Sequence, residues 1–244
     1  KLEKKNPSAK MSEPKKPIVY WIENTVPHEF RSAVRDGILG WNKSFEKIGF
    51  KNAIVVKQMP DDADWDPADI RYSTIRCMIH PGSGYAVGPS RANPMTGELY
   101  DADIRISTDY VRYFYTEYKD IMDPLINDEP ISNIEFNHDE HSDGEECNYA
   151  FEKKNQMAFL WNYITSKNII SGTDDELEKF IYEGIVDLIL HEVGHTLGLR
   201  HNFKASSMLS VEELSDPKII SKYNITSSVM DYTLANIFDR GHHF

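Results

Sequence analysis

The sequence predicts an α+β domain, and three observations carry that expectation. Strand-like runs and turns fill most of the first hundred residues, with one helical pattern among them. The later part of the chain carries long helical periodicities, so strands come before helices instead of alternating with them. The length of 244 residues, with 40% apolar and 11% aromatic side chains, suits one sizeable globular domain, or a domain with a smaller lobe, with an adequate core.

The elements follow in chain order. Residues 1–16 are polar and Lys-rich, and are expected to form a mobile arm or a linker. Pro17 to Ile22 reads as a buried strand. Phe30, Ala33, Val34, Ile38, Trp41, Phe45 and Ile48 then recur at three- and four-residue spacings, which predicts one helix closed by Gly49. Ala53 to Val56 forms the next strand, and the alternation from Asp69 to Arg76 predicts a third. After the Pro81 to Gly84 loop, two short strands flank a turn at Pro94-Met95-Thr96-Gly97.

Helical patterns rich in tyrosine occupy 108–122, and a further helix is expected over 149–167. Between them, 127–146 holds eight acids plus His138 and His141 without apolar periodicity. A structural calcium loop is one reading, but the ordered oxygen spacing of such a loop is missing, and a solvated insertion is the expectation. Thr173-Asp174-Asp175-Glu176 has the form of a capping box. The helix it starts places Leu177, Phe180, Ile181, Ile185, Leu188 and Ile189 on its core side, and a short helix is expected at 210–214.

A net charge of −12 argues against nucleic acid or anionic lipid as partner, since long-range repulsion opposes both. No apolar run approaches the length of a membrane span, and the charged start (KLEKKNPSAK) lacks the apolar core of a signal peptide. Cys77 and Cys147 permit one disulfide without demanding it, and two isolated thiols are the simpler expectation.

The most specific segment is 191–201, His-Glu-Val-Gly-His-Thr-Leu-Gly-Leu-Arg-His. On a helix, His191 and His195 lie one turn apart and within ~40° of each other, so both imidazoles reach one metal. Glu192 sits beside that face, where a carboxylate contacts a metal-bound water without binding the metal. If the helix continued, His201 would lie ~9 Å beyond His195 along the axis, too far to share a zinc with ligand bonds of about 2 Å. The chain must turn back, and Gly198 is the residue that tolerates the left-handed conformation needed. Three histidine ligands leave a fourth position open, the catalytic rather than the structural zinc pattern. Five fixed positions in eleven arise by chance in such a chain only at roughly the 10⁻⁴ level, which favours a zinc site over ordinary surface or core histidines.

The string 191–201 resembles the extended zinc signature of the metzincins, followed by a Met-turn whose counterpart here is Ser228-Val229-Met230-Asp231-Tyr232. The resemblance implies that Met230 forms an apolar floor under the three histidines and that Tyr232 approaches the zinc or stabilises the reaction's oxyanion. The run from Leu2 through Asp103 is also similar to the metzincin-type domain of large zinc-dependent proteases of bacterial envelopes. Ser12-Glu13-Pro14, Phe50-Lys51-Asn52-Ala53, Asp69-Ile70-Arg71-Tyr72 and Asn93 to Asp103 (NPMTGELYDAD) carry that likeness. It departs at 123–147, which looks inserted, and at Cys77, where a large aromatic is expected.

The resemblance implies a zincin-like fold: a twisted, mixed five-stranded sheet packed on an active-site helix and a backing helix. Residues 17–201 would form an N-terminal subdomain and 202–244 a small C-terminal one ending in the Met-turn. An antiparallel strand at the cleft edge would fall at Tyr85, Ala86, Val87 and Gly88 and would bind extended peptide by strand addition, unless it is an ordinary edge. The chain stops twelve residues after Tyr232, sooner than metzincins usually do, so a piece of a larger protein is expected, with other domains of the parent chain as partners. The implied activity is a zinc metalloendopeptidase acting on proteins or peptides in the cell envelope, the periplasm or outside the cell, with Glu192 as general base. Two rivals remain open: a zinc hydrolase of a non-peptide amide, and a metal-stabilised binding domain with little or no catalysis. Glu192 beside an open coordination site speaks against the second.

Overall fold

The structure, a computed structural model, describes residues 2–79, 86–88, 90–108 and 149–233. The Tyr-rich pattern from 109 onward, the acidic 127–146 stretch, Cys147, Tyr85 and Pro89 lie outside the described residues.

Strand β1 (Ile18–Ile22) pairs in parallel with β2 (Ile54–Gln58) on one side and β3 (Ser73–Met78) on the other. Strand β4 (Ala86–Val87) is followed by β5 (Ser90–Ala92), β6 (Leu99–Ala102) and β7 (Ile104–Ser107). β7 runs parallel to β3, and β4 closes the sheet antiparallel to β7, giving the order β2-β1-β3-β7-β4. β5 and β6 form a separate two-stranded ribbon around the predicted turn, where Gly97 takes a φ of 69°. Together with its helices this is a mixed α+β arrangement, consistent with a zincin-like fold.

One face of the sheet is covered by helices. Tyr20, Ile22, Ile54, Ile75, Ile104 and Ile106 point into a core shared with Ala33, Val34 and Ile38 of α1 (Arg31–Gly40). That core continues into Leu177, Ile181, Ile185, Leu188, Ile189 and Val193 of α4 (Asp174–Thr196). Trp21 alternates to the opposite face, where Trp65 and Tyr72 meet it edge-on and stack on each other at 3.9 Å.

Several elements differ from the sequence expectation. The helix expected over 30–48 divides into α1 and α2 (Asn42–Lys47) at Trp41, whose indole nitrogen donates to the Leu190 carbonyl oxygen on α4 at 3.0 Å. Asp69 to Tyr72, predicted as strand, forms a turn: Tyr72 N–H donates to the Asp69 carbonyl and the Asp69 carboxylate binds Arg71. The side-chain alternation there is real, but local hydrogen bonds compete with strand pairing. The Lys-rich start, expected as a mobile arm, folds back on itself with a bridge between Lys4 and Pro14. Lys4 Nζ donates to the carbonyls of Ala9 and Lys10, and Ser12 is buried and bridged to Phe50.

The helix expected over 149–167 is α3 (Tyr149–Ser166). Beyond α4 come a 3₁₀ turn (Phe203–Met208), the expected short helix α5 (Val211–Leu214), capped by Ser210 and Glu213, and α6 (Pro217–Tyr223), which the sequence reading did not anticipate. Among the described residues, no helix is long and apolar enough to cross a membrane.

Candidate metal centre

The helix that mounts the site is built as its sequence dictates. Thr173 accepts from Glu176 N–H and the Glu176 carboxylate accepts from Thr173 N–H, completing the capping box; these backbone contacts hold the Glu176 carboxyl below its ordinary range. At the other end, Leu199 N–H donates to the Gly194 carbonyl at 3.0 Å and Gly198 N–H to the His195 carbonyl at 2.9 Å. These two bonds are a Schellman cap, and Gly198 has the φ of 88° that the cap demands. Tyr20 Oη lies 2.7 Å from Thr196 Oγ1, tying the central strand to the end of this helix; burial pushes the Tyr20 phenol up to about 12. The chain then turns back and brings His201 to the other two histidines.

His191, His195 and His201 offer ring nitrogens that all lie within 4.8 Å of one another, the one such cluster among the described residues. His195 Nε2 and His201 Nε2 are 3.1 Å apart. A tetrahedral zinc with nitrogen bonds of 2.0–2.1 Å places its ligand nitrogens ~3.3 Å apart, so this spacing fits the metal. His191 Nδ1 bonds the Val229 carbonyl at 2.7 Å and His195 Nδ1 bonds that of Leu199 at 3.1 Å. Those bonds make Nδ1 the protonated nitrogen and turn Nε2 towards the shared point. Burial pushes His191 down to about 3, against the opposing pull of the Val229 carbonyl, and also lowers His195. Both rings are therefore neutral near pH 7, the form a metal requires.

Tyr85 apart, the other predicted residues are placed by the structure. Glu192 is fully buried next to His191. Tyr232 Oη lies 3.3 Å from His201 Nε2, with the two rings edge-to-face at 4.8 Å and Phe203 packed against both. Met230 is buried in a tight turn closed by Asp231 N–H on the Ser228 carbonyl, and its backbone carbonyl accepts from Asn202 N–H at 2.8 Å. Its sulfur rests against Gly194, leaving no room for a side chain there. Asp231, also buried, anchors the turn by accepting from Ser206 Oγ at 2.5 Å and Thr226 Oγ1 at 2.8 Å. Ala86 and Val87 form the edge strand, and Gly88 lies directly against Glu192.

Sequence reasoning missed Tyr149. Its ring lies flat on His191, with centroids 3.8 Å apart and planes 4° from parallel, and its hydroxyl donates to Asp187. Asp187 precedes His191 by four residues and so shares its helix face, the one local signal that could have pointed to a supporting carboxylate. Nothing local marks Tyr149 itself. Cys77 carries a free thiol, which burial pushes up to about 12.

Comparison with known proteins adds one match: residues 173–242 fit the family described as Met-zincin. No curated protein and no solved structure matches the chain. The match spans the capped helix, all three histidines and the Met230 turn, so this segment is similar to the Met-zincin family and its histidine triad is compatible with a zinc site.

Proposed function

We propose that the chain is a zinc-dependent metalloendopeptidase with His191, His195 and His201 as metal ligands. The observation that carries this reading is the clustered triad, with His191 and His195 oriented by backbone carbonyls and buried Glu192 beside them on the same capped helix. Zinc, when bound, supplies Lewis acidity and lowers the pKa of a coordinated water towards 7.

The protein's own groups do the rest. Glu192 takes the proton of the attacking water and hands it to the leaving amine nitrogen, a general-base role worth ~10²–10⁴ in rate. Tyr232 Oη, already 3.3 Å from His201 Nε2, donates to the carbonyl oxygen as negative charge develops there. The turn around Met230 serves as the Met-turn, a dry floor beneath the ligand helix, with Gly194 admitting its sulfur. Strand β4, the outer strand of the sheet, binds the substrate backbone by strand addition, and Gly88 leads that strand onto the general base.

The test joins metal analysis to digestion of a peptide library with and without a chelator. About one zinc per chain with chelator-sensitive cleavage is expected; a zinc-loaded protein that cleaves no peptide would sink the peptidase reading. Glu192→Ala is expected to retain zinc and lose turnover. An envelope or extracellular setting, proposed from the family resemblance, is tested by fractionating the cells that make the protein.

A further inference from the structure

We infer that Tyr149 is a positioning residue for the zinc ligand His191, and that its stacked ring favours the metal-bound imidazole over the free one. The inference rests on the zinc reading above and adds a residue that lies outside the signature motif.

The geometry brings the two ring faces together. Such pairs prefer offset or edge-on arrangements with centroids 4.5–7 Å apart, because face-to-face contact opposes two electron-rich clouds. Tyr149 and His191 lie parallel within 4° with centroids 3.8 Å apart, so the phenol face rests on the imidazole face. Contact between two faces gains strength when one ring is electron-poor. A metal bound at Nε2 withdraws density from the imidazole and makes it resemble a cation over an aromatic face.

The surroundings enhance the contrast. The Tyr149 hydroxyl donates to the Asp187 carboxylate, which enriches the phenol ring. Lys153 holds that carboxylate in place, with Nζ 2.7 Å from Asp187 Oδ2. Tyr149 is 2% exposed, so water does not screen the stack. His191 is thereby fixed twice: at its edge by the Val229 carbonyl and on its face by Tyr149. Supporting groups of this kind commonly carry a 10–100-fold share of metal affinity.

The test starts from zinc-loaded protein and measures the zinc dissociation constant by competition with a chromogenic chelator. Wild-type protein that takes up no zinc would defeat the zinc reading itself, before Tyr149 is considered. Given a zinc-binding wild type, Tyr149→Leu is expected to bind zinc about 10–100-fold more weakly. Tyr149→Phe should fall between the two, and replacement of Tyr149 by pentafluorophenylalanine, close in shape but reversed in ring polarity, should bind more weakly than Tyr149→Phe. The last two keep the core filled and decide the matter even if the leucine variant does not fold. Equal zinc affinity in the phenylalanine and pentafluorophenylalanine proteins would overturn the inference, because a purely structural role cannot tell them apart.

Discussion

Gly88 and Glu192 meet so closely that a methyl group at Gly88 would lie 2.6 Å from the Glu192 carbonyl oxygen and 3.2 Å from its Oε2. The edge strand, where substrate is proposed to pair, and the helix carrying the proposed general base are thus in direct contact across a residue with no side chain. The nearer atom belongs to the backbone of a capped, buried helix and cannot swing away.

Gly88→Ala therefore forces strand or helix to shift by a few tenths of an ångström or more. The expected result is a fall in kcat of about 10²-fold, since small misplacements of catalytic groups carry such losses. Zinc content should stay near that of the wild type, because none of the three histidines is touched. Unchanged kcat in a folded, zinc-loaded variant would show that the contact is irrelevant to catalysis.

Tyr232→Phe removes the hydroxyl that lies near His201 Nε2 and keeps the ring that packs on Phe203 and His201. A kcat lower by about 10²-fold with little change in KM is expected, as for loss of one oxyanion donor. Steady-state kinetics on a defined peptide makes the measurement, and an equal fall in zinc content would move the effect from the oxyanion to the ligand His201.

Gly194→Ala places a methyl group against the Met230 sulfur and 3.1 Å from Trp41. Overpacking of this kind costs about 1–3 kcal/mol, and methionine's flexibility favours the lower half of that range. At roughly 2–4 °C per kcal/mol for a chain of this size, thermal melting should show a drop of several degrees. Combining it with Met230→Ala, which vacates the space, should recover part of the loss only if the clash is the cause.

The metal-free protein should lose stability in mild acid. His191 has its ordinary value near 6.5 when unfolded and is pushed down to about 3 when folded, with burial as the main cause. Between those values the unfolded chain binds a proton that the folded one refuses, so folding stability is full above pH ~6.5 and declines as pH falls towards 3. Urea unfolding midpoints of the apo protein between pH 7.5 and 4.5 test this. His191→Asn, which cannot titrate, should give a shallower dependence; an equally steep one would remove His191 as a source of the decline.

The legible part of this protein is that governed by short-range geometry. The i, i+4 pair His191 and His195, the capping box at Thr173 and the turn at Gly198 each follow from helix dimensions and backbone sterics, and the structure realises them within a residue of where the sequence puts them. The long helix expected over 30–48 was less legible. Its apolar spacing runs on through Trp41, yet an indole hydrogen bond to Leu190, 149 residues away, sits at the break. Likewise, Asp69 to Tyr72 alternates like a strand but spends its hydrogen bonds locally.

By itself, then, the sequence determined the candidate metal site: three imidazoles, a carboxylate, a glycine hinge and a methionine turn, at spacings that leave one sensible arrangement. Tertiary structure alone decided what surrounds that chemistry. Tyr149 reaches His191 across 42 residues, Gly88 reaches Glu192 across 104, and Met230 settles on Gly194 across 36. The physical reason is one of range. Helix pitch and turn sterics act over a few residues and are written in local order, whereas the match of a ring face or a missing side chain to a distant backbone exists only after the sheet and helices have packed.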